Sequence, residues 1–258
     1  RHGGMEGYVA AKARILDAID ADGLVVIGTG PHLDPLAGAR RKAGSKVSII
    51  NPADAPATIA SVASLAGPHN AENAAAAAAC LAALGLAEDE IAEGMAGFAG
   101  LPHRLQTVAC HGGISFVNDS KATNGVAAAK ALATFDNVYW IAGGEAKEDG
   151  LGEAAGETAK VAHAYLIGSA AQAFATELCG IVETSLSGDL ETATTSAFAD
   201  ASAATGTEGR DAIILLSPAA ASFDQFGSFV ARGEAFTTIA RRLAADAGTA
   251  AVSGGTHA

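Results

Sequence analysis

The sequence predicts an α/β fold in two parts, the second of which is built on a largely parallel sheet. The chain has 258 residues and 50% of them are hydrophobic, so it can bury one large core or two ordinary ones. Beyond residue 102, short apolar runs alternate with Ala-rich stretches of helical spacing. Such alternation predicts parallel strands with helices on both faces of the sheet, because crossover connections are right-handed.

The first part, placed at residues 1–101, combines helices with two short strands. The helices are expected at residues 6–19, 36–43, 70–84 and 87–98, and the strands at residues 24–27 and 46–50. Residues 52–68 have no clear period and are expected to form a loop. The run Gly28-Thr29-Gly30-Pro31 matches a dinucleotide-binding loop only weakly, because Pro31 and a missing third glycine spoil the fingerprint. A break at Gly100-Leu101-Pro102 marks the expected domain boundary.

The second part, residues 102–258, carries the alternation. Strands are expected at residues 106–109, 114–117, 138–142, 164–167, 181–183 and 212–216, and helices at residues 125–133, 152–162, 170–179, 190–203 and 222–245. A capping box of Ser222 and Gln225 is expected to open the last helix. Residues 249–258 are small and polar, which predicts a loose tail.

Composition excludes several classes of function. The net charge of -12 and the pI near 4.9 argue against a nucleic-acid surface, which needs clustered Lys and Arg. The three cysteines are widely spaced and follow no Cys-x-x-Cys pattern, so neither a disulfide framework nor a zinc site is expected. No apolar run reaches the roughly 18 residues that span a membrane, and no signal peptide is evident. We therefore expect a cytoplasmic monomer that binds neither nucleic acid nor membrane.

Polar residues follow three of the predicted strands, at residues 118–124, 143–147 and 217–225. In open α/β sheets, ligands bind where parallel strands end and where helices begin with free N–H groups. Lys121, Lys147 and Ser222 are therefore expected to converge on one ligand that bears carboxylates. A polar strand-to-helix loop with a helix cap remains the alternative interpretation of the first segment.

The same segments resemble the Mur ligase family in its glutamate-adding form. The central match is Asn118-Asp119-Ser120-Lys121-Ala122-Thr123-Asn124. Four further matches stand in order around it, and they are Gly67-x-His69-Asn70-x-x-Asn73, Gly100-Leu101-Pro102-His103-Arg104, Gly143-Gly144-x-x-Lys147, and Ser217-Pro218-Ala219-x-x-Ser222-x-Asp224-Gln225-Phe226 with Arg232-Gly233. Together they extend over nearly the whole chain, from about residue 8 to residue 243.

The resemblance implies an ATP-dependent ligase of peptidoglycan synthesis that adds D-glutamate to UDP-N-acetylmuramoyl-L-alanine through an acyl phosphate. It implies that six side chains bind D-glutamate: Lys121, Thr123, Lys147, Ser222, Phe223 and Phe229. It also implies that Asn73, Arg104 and Asp119 contact ATP. Lys12 matches a lysine that the family carries as a carbamate, and only that modified form is suited to bind Mg²⁺, because a free ammonium has no lone pair.

The resemblance begins part-way through the family pattern. No Gly-x-x-x-x-Gly-Lys-Ser/Thr run occurs in the sequence. We therefore expect the later part of the central ATPase domain at residues 1–101, joined to a Rossmann-like, D-glutamate-binding domain at residues 102–258. The UDP-binding domain and the P-loop would be missing, and the fragment alone is expected to be inactive. The alternatives are another Mur ligase, a folylpolyglutamate-type ligase, or a stand-alone amino-acid-binding module.

Overall fold

The structure is a computed structural model that describes residues 4–62, 65, 67–147, 150–208 and 211–254. The chain divides into two compact units, residues 1–99 and residues 100–258. Each unit is described by itself.

In its described residues, the first unit contains four α-helices and a parallel pair of strands. Its helices are α1 (Met5–Ala13), α2 (Asp34–Lys42), α3 (Pro68–Ala83) and α4 (Glu88–Ala96), and its strands are β1 (Leu24–Ile27) and β2 (Lys46–Ile49). The predicted helix at residues 6–19 is shorter than expected, because it tightens into a 3-10 turn at Arg14–Ala18. The predicted loop contains two 3-10 turns, Pro52–Asp54 and Ala57–Ser61.

The core of the first unit is small. Ala74 on α3 packs against Ile91 and Met95 on α4. Alanine predominates in α3, so little apolar side-chain volume fills the space around this helix. A cavity of about 800 Å³ lies between α3, α4 and the end of β2, where Ile49 and Ile50 line it.

The second unit is a six-stranded sheet with helices on both faces, as the sequence predicts. Its strands are β3 (Gln106–His111), β4 (Ile114–Asn118), β5 (Val138–Gly143), β6 (Val161–Ile167), β7 (Thr184–Gly188) and β8 (Ala212–Leu216). Its helices are α5 (Gly125–Thr134), α6 (Ala171–Glu177), α7 (Leu190–Glu208) and α8 (Phe229–Gly254). The strand order is β3-β4-β8-β5-β6-β7, and only β3 runs antiparallel to its neighbour.

Two apolar clusters cover the two faces of this sheet. On one face, Trp140 and Leu166 pack with Leu132 of α5 and Phe174 of α6. On the other face, Ile141 and Tyr165 belong to the cluster that contains the inner sides of α7 and α8. Successive strand residues thus face opposite cores, which explains why these strands read as continuous apolar runs and do not alternate with polar residues.

Three predicted elements are wrong in position or type. The helix expected at residues 152–162 is a 3-10 turn, Gly152–Gly156, and β6 already begins at Val161. The strand expected at residues 181–183 lies a few residues later, as β7. Helix α8 begins at Phe229, because the Ser228 hydroxyl accepts a hydrogen bond from Ala231 N–H at 3.1 Å and so caps it.

The end of the chain also differs from the prediction. The loose tail expected at residues 249–258 is helical as far as Gly254, and residues 255–258 lie outside the described part. The three cysteines are free and exposed. Among the described residues, no helix combines the length and the apolar character needed to cross a bilayer.

Candidate functional site

Three strand-end loops lie side by side at the carboxyl edge of the second unit's sheet. We call them loop A (residues 119–124, after β4), loop B (residues 144–147, after β5) and loop C (residues 217–228, after β8). Strand β8 pairs with β4 on one side and with β5 on the other, all in parallel. Loops B and C are joined directly, because Glu145 and Ala221 exchange both backbone hydrogen bonds at 2.9 and 3.0 Å.

Loop A begins at a fully buried amide. Asn118 Nδ2 donates to the Gly233 carbonyl at 2.8 Å and lies 3.1 Å from both His103 Nδ1 and Thr237 Oγ1. Its Oδ1 accepts from Ser120 N–H at 3.1 Å. Asn118 therefore holds the start of loop A against α8. A side chain at Gly233 would not fit, since a Cβ there would lie 2.3 Å from His103 Nδ1.

Asp119 is a buried carboxyl group that is 7% exposed. Burial raises the pKa of Asp119 from 3.8 to about 7, although three neighbours lower it: the Ser217 hydroxyl, Leu105 N–H and the Arg104 guanidinium. Ser217 Oγ donates to Oδ2 at 2.9 Å, and Leu105 N–H donates to Oδ1 at 3.3 Å. The Asp119 carboxyl group thus changes its charge near neutral pH. The exposed guanidinium of Arg104 is close enough to favour the ionised form.

Lys121 is exposed at the edge of loop A, and its Nζ lies 4.1 Å from the centroid of the Phe229 ring. An ammonium over an aromatic face is attracted by the ring quadrupole, which fixes where the charge stands. Thr123, two residues further, is half-buried, and Asn124 accepts a hydrogen bond from Ala127 N–H at 2.9 Å. Asn124 is therefore the cap of α5, and the helix-cap interpretation accounts for this one position of loop A.

Loop C contains the predicted Ser222 and Phe223 before α8 starts. Ser222 is buried, whereas Phe223 is 71% exposed. The predicted capping box of Ser222 and Gln225 does not open α8. Gln225 Nε2 donates to the Gly188 carbonyl at 2.8 Å, while Asp224 Oδ2 accepts from Ser169 N–H at 2.8 Å. Both side chains thus bind loop C to the ends of β6 and β7.

Loop B is short and glycine-rich, and it ends at the exposed Lys147. Gly144 has φ of +128°, and a Cβ there would lie 2.1 Å from the Ala221 carbonyl oxygen. Only glycine lets loops B and C approach so closely.

Backbone strain marks the same edge of the sheet. His103, Leu105 and Ala219 adopt left-handed conformations, with φ of 62°, 43° and 58°. Each costs on the order of 1 kcal/mol for a residue with a side chain. The first two flank Arg104, and the third lies in loop C. Such strain persists only where surrounding contacts enforce it, and it is concentrated at functional sites.

Lys12 and Asn73 belong to the first unit. Lys12 is exposed on α1, and its Nζ lies 5.7 Å from the centroid of the Tyr8 ring. Asn73 is exposed on α3 and lines a cavity of about 430 Å³ with Met95 and Phe98. Within the described part of the chain, no three His, Cys, Asp or Glu side chains gather around a point that would hold a metal ion. These donors by themselves do not fit a magnesium site.

Comparison with known proteins identifies the fold of the second unit. The family profile described as Mur ligase, glutamate ligase domain, matches residues 103–220. These residues thus match the glutamate ligase domain of the Mur ligase family. The matched residues include loops A and B and the start of loop C, so the predicted resemblance is confirmed on these segments.

Two curated relatives of this chain share one name. UDP-N-acetylmuramoylalanine–D-glutamate ligase of Caulobacter vibrioides is 48% identical over 171 residues, which cover 66% of this chain and 36% of that protein. The enzyme of the same name from Rhizobium meliloti is 41% identical over 259 residues, covering 92% of this chain and 55% of that protein. The chain thus spans between about a third and just over half the length of these Mur ligases.

A solved structure supports the fold over both units. Folylpolyglutamate synthase of Mycobacterium tuberculosis, complexed with ADP, superposes with a TM-score of 0.63 at 18% identity and covers 93% of this chain and 60% of that one. At such low identity the likeness concerns the fold alone. It confirms the predicted α/β class with a mostly parallel sheet.

Arg232 is part of the family match in the sequence, but no role was predicted for it there, and the structure buries it at the centre of this edge. Arg232 is 1% exposed and forms hydrogen bonds to loop A, to loop C and to Gly143 at the end of β5. Its signal in the sequence is an arginine in an apolar stretch near the start of α8, next to a glycine. That signal alone does not separate a buried arginine from a solvated one, because burial depends on the elements around it.

Proposed function

We propose that this chain carries the amino-acid-binding part of an ATP-dependent ligase that joins D-glutamate to UDP-N-acetylmuramoyl-L-alanine. In this reaction the L-alanyl carboxylate attacks the γ-phosphate of ATP, the bond between the γ-phosphorus and the bridging oxygen breaks, ADP leaves, and an acyl phosphate is formed. The amine of D-glutamate then attacks the carbonyl carbon, and phosphate leaves. The setting is the cytoplasm, and the chain acts as a monomer that binds neither membrane nor nucleic acid.

The observation that carries the proposal is the alignment of loops A, B and C on three adjacent parallel strands. A dicarboxylic amino acid needs cations for its carboxylates and hydroxyl groups that donate to the same oxygens. We assign the cationic role to Lys121 and Lys147, and the hydroxyl role to Thr123 and Ser222. The names of the curated relatives support the choice of D-glutamate.

Two aromatic residues complete the proposed amino-acid site. Phe229 holds the Lys121 ammonium in its ligand-free position and would contact the aliphatic part of the ligand. Phe223 is so exposed that a ligand covering its ring would remove apolar surface from water.

The nucleotide-binding role is proposed for Asn73, Arg104 and Asp119. Arg104 is exposed and charged, which suits a phosphate oxygen, and the carboxyl group of Asp119 suits a hydroxyl donor. Lys12 would act only as a carbamate, which would supply an oxygen ligand to Mg²⁺. No step of the proposal depends on that metal, since the described donors do not fit it.

The proposal is tested by titrating the 258-residue chain with D-glutamate in a calorimeter. Each of Lys121→Ala and Lys147→Ala should weaken binding about 10- to 100-fold, the value of one charge-assisted contact. The matched control is Lys130→Ala, which removes an equally exposed lysine from α5 and should leave binding unchanged. Absence of D-glutamate binding, or binding that both site variants preserve, would contradict the proposal.

A panel of amino acids separates the rival ligases. A sister Mur ligase would bind L-lysine or diaminopimelate in preference to D-glutamate, and a folylpolyglutamate-type enzyme would prefer L-glutamate. Because the sequence has no P-loop, the chain by itself is expected not to hydrolyse ATP. Two observations together would refute that expectation: the chain hydrolyses ATP, and a variant at a buried residue of the site, such as Asp119→Ala, abolishes the hydrolysis.

A further inference from the structure

Arg232 forms hydrogen bonds to loops A and C and to the last residue of β5, from which loop B starts. Its Nε donates to Ser120 Oγ at 3.0 Å, and its Nη2 donates to the carbonyls of Ser120 and Ala220, each at 3.1 Å. Its Nη1 donates to the carbonyls of Ala221 at 3.2 Å and Gly143 at 3.4 Å. All three nitrogens of the guanidinium thus donate hydrogen bonds, and their acceptors lie in loop A, in loop C and at the end of β5 that leads into loop B.

All of these acceptors are neutral, although the side chain is 1% exposed. Burial lowers the pKa of Arg232 to about 10, and the Asp224 carboxylate opposes that shift. Arg232 therefore stays charged at neutral pH. A buried cation is costly unless its donors are satisfied, and here main-chain carbonyls and one hydroxyl satisfy them.

The acceptors are the immediate neighbours of the proposed ligand-binding residues. Ser120 precedes Lys121, and Ala221 precedes Ser222. Ser120 Oγ also donates to the Phe229 carbonyl at 2.8 Å, so the same hydroxyl positions the main chain of the residue whose ring lies 4.1 Å from the Lys121 ammonium. Arg232 itself does not need to touch the ligand to affect these groups.

We propose that Arg232 is a positioning residue that holds loops A, B and C in one fixed arrangement, so that Lys121 and Ser222 are pre-oriented for an anionic amino acid. The inference rests on the proposed function for the identity of the ligand, but the arrangement of the loops without ligand is tested separately. A rigid arrangement raises the affinity for the ligand, because ordering three loops during binding would cost part of the binding free energy.

The experiment compares Arg232→Lys with Arg241→Lys, a control on the same helix whose Nε donates to the carbonyl of Val108 at 3.3 Å. Lysine keeps the charge of Arg232 but cannot reproduce a planar fork. In ligand-free protein, amide hydrogen exchange in the three loops should rise at least tenfold in Arg232→Lys and stay unchanged in the control. The ring-current shift that Phe229 imposes on the Lys121 ε-protons in NMR spectra should disappear in Arg232→Lys only.

The same variants are then titrated with D-glutamate. Arg232→Lys should weaken binding at least tenfold, and in Arg232→Ala, methylguanidinium added to the buffer should restore part of the affinity by filling the vacated space. Far-UV circular dichroism of Arg232→Lys checks that the sheet is intact, and a variant that fails to fold is replaced by Arg232→Gln.

Unchanged loop exchange and an unchanged ring-current shift in Arg232→Lys would overturn the inference, and so would wild-type affinity for D-glutamate in that variant. If the wild-type chain binds no D-glutamate, the proposed function fails. The exchange and NMR measurements then still decide whether Arg232 orders the loops.

Discussion

Replacing Asp119 by asparagine should make the second unit less sensitive to rising pH. Asparagine is nearly isosteric, its Oδ1 can accept from Leu105 N–H, and its Nδ2 can donate to the Ser217 hydroxyl oxygen. The substitution removes the charge that burial disfavours. Asp119 in the folded chain has a pKa of about 7, against 3.8 as its ordinary value.

The sign and size follow from proton linkage. Between these two pKa values the folded state binds a proton that the unfolded chain has released, so folding loses stability as pH rises through this window. Each unit of pKa difference corresponds to about 1.4 kcal/mol, and the loss continues until the folded pKa is passed. Between pH 5 and pH 8, the wild-type free energy of unfolding should therefore fall by roughly 3 kcal/mol relative to Asp119→Asn, about 1.4 kcal/mol for each of the two pH units below the folded pKa.

Urea unfolding at several pH values measures this difference. Trp140 is the single tryptophan of the chain and is fully buried in the second unit, so its fluorescence reports on that unit. The control is Asp136→Asn, which makes the same charge change at an exposed residue paired with Lys160 at 3.0 Å. A wild-type free energy of unfolding that stays constant or rises relative to that of Asp119→Asn between pH 5 and pH 8 would refute the reasoning.

Two further substitutions test the walls of the site. Gly125→Ala should destabilise the protein by more than about 3 kcal/mol in thermal unfolding, because the new Cβ would lie 1.9 Å from the Leu151 carbonyl oxygen. The control is Gly156→Ala, which should leave the stability nearly unchanged because nothing lies within 4 Å of its new Cβ. Asn118→Asp should cost about 3 kcal/mol at neutral pH, because a carboxylate would face the Gly233 carbonyl that the amide now donates to; equal stability of the two proteins would contradict this.

Local chemistry accounts for the parts of the fold that the sequence predicted well. Strands β1 and β8 match their predicted bounds, and β4 and β5 differ by one residue at one end, because each is a short apolar run bounded by polar or glycine-rich turns. The wrongly predicted elements also come from relying on the local pattern, at places where tertiary packing overrides it. Residues 152–162 contain four alanines and suggested a helix, but Leu151 and Ala154 pack into the core from a 3-10 turn. Propensity is a weak guide where tertiary packing decides.

The candidate site was predictable only in outline. Lys121, Lys147 and Ser222 were identified because they follow strands in polar segments, which is a local pattern. The capping role given to Ser222 and Gln225 was wrong, since Gln225 instead binds the carbonyl of Gly188, 37 residues away in the chain. The pKa of Asp119 was not predictable either, because it depends on burial beneath residues distant in sequence.

The sequence by itself determined the α/β class, most of the strands and the three polar segments that end them, since apolar period and turn residues act over a few neighbouring positions. Only the tertiary structure decided that β8, the last strand along the chain, pairs between β4 and β5. It also decided that Arg232 reaches Ser120, 112 residues earlier. Strand order and buried hydrogen bonds depend on contacts between distant segments, and the packing of the whole unit selects them.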